Sequence, residues 1–545
     1  MTKFGITGDQ AWFMLAEIAD GVMELNPDIE ADTIEFLAFI TERIYGEPAS
    51  EGEILLQAKR LLGEALIPGR TIEISPTVTV REDEALDLNG TILTTVLNNV
   101  GVIFDEDGLF GDNLLSGVVF NEGLINLDSG EDFVVGFGGG IFNASDGEIF
   151  TGAKLDLISG SSSGVENTKG IFNFGGFIDS GTGNDRIVGN AIGIIDAEGI
   201  ENSEGGRIVT GRGDDLIDGE AAAVDEAVGI ENELGSTIST GVGDDIVRGR
   251  ADDLTGLTAT AAGQAGILND SGSLIKTGGG NDLVEGYASV DDSGDTTSGQ
   301  IAGIANFSST ISLGGGADDL IGEAFSVGGQ ETTAGIISFG NGDSQGVLDL
   351  GKGDDLVLGF AETSGTGFTN GIVLVDSSLV SRSGNNFIQG EAVGGFVNSG
   401  LFISSSSSIK LGGGNDVVVG FAFEGFESNE GITNRGKISL GAGDDIIESL
   451  FGDFGGEGTT SLGRGNDVIV GFGTGNFNGG AGQDIIKLTT GIYRFDDNTL
   501  TREEDGVSMG LRRVEGLSGL ADEEALLLVD GATYIVGENN SAVFI

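Results

Sequence analysis

Gly211 to Gly219 reads GRGDDLIDG. The nonapeptide returns as GTGNDRIVG from Gly181, GVGDDIVRG from Gly241, GGGNDLVEG from Gly278, GKGDDLVLG from Gly351 and GGGNDVVVG from Gly412. GAGDDIIES from Gly441, GRGNDVIVG from Gly463 and GAGQDIIKL from Gly480 complete the series. The shared pattern is Gly-x-Gly, Asp or Asn, Asp, then two apolar residues. Two glycines around one residue permit a tight turn with left-handed backbone. The Ile, Val or Leu pair that follows suits a short buried strand. The acidic and amide residues stand where turn passes into strand, a costly place to gather charge unless something neutralises it.

Working outward, each turn sits inside a larger unit. Upstream stands Gly-Ile-x-Asn: GIFN at Gly170, GIEN at Gly199 and Gly229, GILN at Gly266, GIAN at Gly303 and GITN at Gly431. A second strand follows, such as RIVTG at Arg207, TISTG at Thr237 or KISLG at Lys437. Ile200 to Asp215, Ile230 to Asp245 and Ile267 to Asp282 are each 15 residues. Asp185, Asp215 and Asp245 are 30 apart, whereas Asp245 to Asp282 is 37. The extra residues fall in polar runs such as ADDLTGLTATAAGQ, so one corner takes insertions while three strands and two corners keep their length. A unit of about 30 residues cannot bury its own apolar face, but stacked units bury it against each other. The fold expected is an all-β parallel β-helix or β-solenoid with its Gly-Asp turns stacked on one edge. Ile200, Ile230, Ile267 and Ile304 should form one inward ladder. Asn202, Asn232, Asn269 and Asn306 should form an amide ladder, each bonding the next.

Toward both ends the pattern changes. Weak copies occur at GDNLLSG from Gly111, SGEDFVVG from Ser129 and GAKLDLISG from Gly152. TIEISPTVTV from Thr71 alternates apolar and polar residues as a strand does. Before it, residues 1–68 read as three short amphipathic helices: Trp12 to Val22, Ile34 to Ile44, and Ile54 to Leu62 behind a Ser50/Glu53 capping box. They are expected to form a helical cap or docking domain. The solenoid is expected over 69–488, with strong repeats over 170–488, and a mixed β region over 489–545.

Composition limits the chemistry. The chain has 545 residues, 100 Gly, 4 Pro, no Cys and no His. Acidic residues number 87 and basic ones 25, giving a net charge of −62. That field repels nucleic acid and anionic membrane and attracts cations. Disulfides, nitrogen–sulfur zinc sites and histidine acid–base catalysis are excluded, which leaves hard cations with oxygen ligands. No 18-residue apolar run suggests a transmembrane helix. Stacking would bring Asp215 and Asp245 about 4.8 Å apart. At that distance two carboxylates repel by about 1 kcal/mol in water, and by several times that near a protein surface. A divalent cation between turns removes the cost. The competing reading is that the same residues merely close Asx-turns on their own backbone, which requires no ion.

The turns resemble the hemolysin-type, repeats-in-toxin calcium-binding family, whose Gly-rich nonapeptides form parallel β-rolls with calcium in the turns. The resemblance implies calcium as cofactor and a ligand role for Asp185, Asp215, Asp245, Asp282, Asp355, Asp416, Asp445, Asp467 and Asp484. Beside them stand Asn184, Asp214, Asp244, Asn281, Asp354, Asn415, Asp444 and Asn466 as candidate ligands. GGGADD from Gly314 is read with one extra residue, which makes Asp319 the candidate there, while Asn385 and Asn386 carry no carboxylate. Family repeats run every nine residues; here only Gly463 to Leu488 comes near that spacing. The resemblance further implies export by a type I secretion apparatus with a C-terminal signal, placing the protein outside the cell or on its surface. The expected function is a calcium-stiffened structural or adhesive rod, with glycans or a cell surface as partners. The alternative is a calcium-dependent polysaccharide lyase or epimerase.

Overall fold

The computed structural model describes residues 71–80, 85–87, 90–99, 102–104, 114–127, 129–253, 263–292, 300–328, 332–522 and 524–544. The helical cap expected over 1–68 lies outside them. Among the described residues there is no helix, and accordingly none long and apolar enough to cross a membrane.

The chain winds into a parallel β-solenoid. One winding consists of Asp196–Ser203, Arg207–Arg212 and Leu216–Ala223. The next places Glu226–Asn232, Thr237–Val242 and Ile246–Asp253 directly over them, each strand parallel to its predecessor. The reason is visible in the alternation. In Arg207–Arg212 the side chains of Ile208 and Thr210 are buried while Arg207 and Arg212 are exposed. A lone winding would leave that buried face open to water, and the neighbour closes it. Ile200, Ile230, Ile267 and Ile304 pair in sequence and are fully buried, as expected. Ile208, Ile238, Ile275 and Ile311 do the same on the second strand.

Asparagines line the corner after the first strand. The Nδ2 of Asn202 donates to Oδ1 of Asn232 at 2.8 Å, and Asn232 to Asn269 and Asn269 to Asn306 continue the ladder at 2.8 Å. It reaches further than the strong repeats, back through Asn173 and Asn143 to Asn121 and Asn99. At Ser338 a hydroxyl replaces the amide.

Glycine shapes the third corner. A Cβ on Gly219 would lie 2.1 Å from the carbonyl oxygen of Gly229, so third and first strands meet backbone to backbone. Ala221, Ala223 and Ala227 fill a narrow arm beyond this pinch. The pairing skips Gly199 and Gly229, and the side-chain alternation slips there. Ala227 faces the arm and Ile230 the main core, while Val228 joins a separate cluster. The bend leaves a concave groove on the outside of the first strand. One row along it runs Phe142, Phe172, Glu201, Glu231, Leu268, Ala305, Ile337, Val373, Phe402.

Winding length varies along the axis. Successive equivalents of the turn aspartate lie 24 residues apart at the first step, 29 or 30 through Asp245, and 36 or 37 through Asp355. The spacing then falls through 31, 30 and 29 to 22 and 17. At both ends a single bent strand replaces two. Phe133–Asn143 pairs with both Leu157–Ser163 and Thr168–Phe174, and Ile446–Gly455 pairs with both Val417–Phe423 and Ser428–Asn434. After it, each winding has two strands, as in Thr459–Arg464 and Val468–Gly473. A last parallel winding, Ser508–Arg512 and Gly516–Gly519, stacks on Asn476–Ala481 and Ile485–Leu488. Antiparallel strands Gly491–Asp496, Thr499–Arg502 and Ala532–Val536 fold around this end. Buried Tyr493 packs edge-on against Phe472 with ring centroids 5.2 Å apart. Such an end blocks further strand addition.

Candidate metal centre

The Gly-x-Gly turn ends the second strand. Gly211 and Gly213 have φ of 98° and 128°, a region that disfavours any Cβ. A Cβ on Gly213 would also lie 1.4 Å from the Gly183 carbonyl oxygen of the winding below. Both demands are met only by glycine, which lets successive turns lie flat on each other. The following residue pair is thereby split, one side chain outward and one inward.

The inward residues form a column: Asp132, Asp156, Asp185, Asp215, Asp245, Asp282, Asp318, Asp355, Asn386, Asp416, Asp445, Asp467 and Asp484, all buried. Each member after Asp132 uses Oδ1 to accept the backbone N–H of its equivalent one winding earlier. Asp185 N–H donates to Asp215 at 2.8 Å, Asp215 to Asp245 at 2.9 Å and Asp245 to Asp282 at 3.0 Å. The bond recurs down to Asp467 and Asp484 at 3.0 Å. The other oxygen is different. At Asp156, Asp185, Asp215, Asp245, Asp282, Asp318, Asp355, Asp416, Asp445, Asp467 and Asp484 the buried Oδ2 has no hydrogen-bond partner. The neighbouring hydroxyls run between windings, Thr210 donating to the Thr240 carbonyl and Thr240 to that of Thr277, both at 3.1 Å, and they lie close enough to the carboxyls of Asp215 and Asp245 to lower their pKa somewhat.

Burial drives these carboxyls upward in pKa, against the lowering effect of the N–H bond and with help from neighbouring aspartates. Asp156 reaches about 8. Asp185, Asp215, Asp355 and Asp445 reach about 7. Asp245, Asp318 and Asp467 reach about 6. Burial raises Asp282, Asp416 and Asp484 as well. Burial of so many carboxyls in one file raises the cost of their charge and favours the uptake of protons or of a cation.

The outward residues form a second row with opposite polarity. Here the side-chain oxygen of one winding accepts the N–H of the next: Asn184 from Asp214 at 3.1 Å, Asp214 from Asp244 at 3.0 Å, Asp244 from Asn281 at 2.7 Å. Asp354, Asn415, Asp444 and Asn466 repeat this. These exposed residues clamp adjacent turns, and the bonds pass between windings rather than to each residue's own backbone, so the Asx-turn expectation is not met at these positions. The candidate ligands therefore separate into a buried file and a solvent-facing clamp.

Asp319 belongs to neither, which corrects the sequence assignment. GGGADD has no extra residue: Gly314 pairs with Gly278, Ala317 takes the outward place, and Asp318 is the buried member. Asp319 opens the third strand opposite Leu283 and Leu356. Asn386 occupies the column without a carboxylate and donates Nδ2 to Asp416 Oδ1 at 2.7 Å. Sequence reasoning missed Asp132, Asp156 and Asp318. The signal was present, since each precedes two apolar residues or one more acid and then a strand ending in Gly. Beyond the last repeat, Glu515 accepts the Asp484 N–H at 2.9 Å and carries the file one step further with a longer side chain.

The donor set is oxygen throughout, which suits a hard cation such as calcium and no soft one. Compared with known proteins, the chain matches no family model and no curated protein.

Proposed function

We propose that this chain is a calcium-binding structural rod that works outside the cell, related in its turns to the repeats-in-toxin proteins. The observation that carries the reading is the unpartnered Oδ2 repeated at eleven buried aspartates. An isolated orphan of this kind has many explanations, whereas a periodic one calls for a single explanation that repeats with the windings, and an ion is one that does. Aspartates of the buried column would hold the ions, and the ions would supply positive charge between windings. The protein's own part is to present oxygens in a fixed file and to exclude water around them. Weak, extracellular-type affinity would leave the column empty where calcium is scarce and fill it where calcium is abundant. Each filled site then stabilises the fold by mass action, about 2.7 kcal/mol when calcium is a hundredfold above its dissociation constant. The insertion-bearing third corners would be the surfaces offered to glycans or a cell surface.

Metal analysis of protein equilibrated with calcium and gel-filtered, paired with melting curves, tests this. Several bound calcium ions per chain are expected, with chelator lowering Tm by roughly 10 °C or more. Metal-free protein with an unchanged Tm would contradict it.

A further inference from the structure

The groove outside the first strand carries a second, independent feature. Its floor is apolar on both sides, with Phe142 and Phe172 before and Leu268 and Ala305 after, yet two consecutive positions are Glu201 and Glu231. Glu198 joins them from the adjacent row, and the carboxylate oxygens of all three come within 4.8 Å of one another. Glu198 is only 5% exposed, and its Oε2 is buried without a hydrogen-bond partner. Carboxylates inside an apolar groove are costly unless they meet positive charge.

One cation is already there. Lys169 Nζ lies 3.1 Å from Glu198 and also contacts Glu201, and its ammonium sits 5.0 Å from the centre of the Phe172 ring. It neutralises one of three carboxylates. Glu231 has no salt bridge or hydrogen bond among the described residues, and burial with repulsion from Glu198 and Glu201 raises its pKa to about 8. Beside it lies a cleft of about 190 Å³ with an apolar floor of Val228, Ala265, Leu268 and Ala302 and with Glu226, Gln264 and Gln300 also in its lining. Lys169 thus displays within the chain how an ammonium on an apolar stem is held, and a second such place is left at Glu231.

We infer that this groove binds an extended peptide, one lysine or arginine of which docks against Glu198 and Glu231 while small apolar side chains lie along the Val228–Ala302 floor. The recognition rests on charge complementarity and does not depend on calcium in the aspartate column.

The test uses the full chain in calcium-containing buffer and a fluorescent nine-residue peptide of alternating valine and serine with one central lysine, read by anisotropy. Its norleucine counterpart should bind at least tenfold more weakly. Glu231→Gln should weaken the lysine peptide at least tenfold without lowering Tm, because that carboxylate is unpaired, and added salt should weaken it further. Equal binding of the two peptides, or no effect of Glu231→Gln, would overturn the inference. So would loss of lysine-peptide binding on adding magnesium at constant ionic strength, which would make the cluster a metal site.

Discussion

At the scale of the residue, Asp215 holds two opposed roles. Its Oδ1 accepts the N–H of Asp185 and so pins one winding to the next, while its buried Oδ2 is unpartnered. Asparagine keeps the first role and removes the charge. Asp215→Asn is therefore expected to act in opposite directions. In calcium it removes a ligand and should destabilise by about 1–3 kcal/mol. In chelator at pH 8 it removes a buried carboxyl forced toward ionisation and should raise Tm. Paired thermal melts check this; destabilisation of equal size in both buffers would show that the carboxylate serves packing alone. The same residue scale explains where sequence reading stopped. At 214/215 the resemblance put the ligand role on Asp215 but kept Asp214 beside it as a candidate, because sequence does not say which side chain of a strand entry faces inward. At Asp318 and Asp319 that ambiguity became an error, since Ala317 disguised the outward position.

At the scale of the element, the spacing Gly219 to Gly229 matters more than either turn. Third and first strands touch there through bare backbone. Gly219→Ala is expected to cost about 3 kcal/mol through overpacking against the Gly229 carbonyl. Gly235→Ala, at φ 77° with nothing within 4 Å of the added Cβ, should cost only about 1 kcal/mol of backbone strain. Urea titrations of the two variants separate them, and equal losses would mean that no close approach exists at Gly219. The ladders at Ile200, Ile230 and Asn202, Asn232 were legible in advance, because spacing of 30 and 37 residues left equivalent positions easy to align. The bend at Gly199 and Gly229 was not, because a glycine in a strand does not announce which backbone it lies against. The groove that follows from the bend was equally hidden.

For the whole molecule, the buried file runs through twelve winding-to-winding hydrogen bonds from Asp132 to Asp484. At about 4.8 Å per step that is a column roughly 58 Å long. Its pH response follows from the raised carboxyls. In the metal-free protein the folded column binds protons up to about pH 6–8, while unfolded aspartates release them near pH 4. The folded state then holds more protons, so stability present below about pH 4 is lost as pH rises through 8. Calcium competes with those protons and should reverse the trend. Melting curves from pH 4 to 8, in chelator and in calcium, should slope oppositely; parallel slopes would remove the cation from the account. The broad plan of stacked windings was readable because repetition multiplies a weak signal. The taper was not, because the bent strands Phe133–Asn143 and Ile446–Gly455 merge two elements that the central repeats keep apart.

The central claim is that divalent cations lie between successive buried aspartates. It is tested most directly by an anomalous difference map from crystals grown in calcium and soaked in a lanthanide. The account predicts a line of peaks beside the Oδ2 atoms from Asp156 to Asp484, weakened or missing at Asn386. A map with no peaks along that line, or with peaks only at the exposed Asp214, Asp244 and Asp444 row, would contradict it.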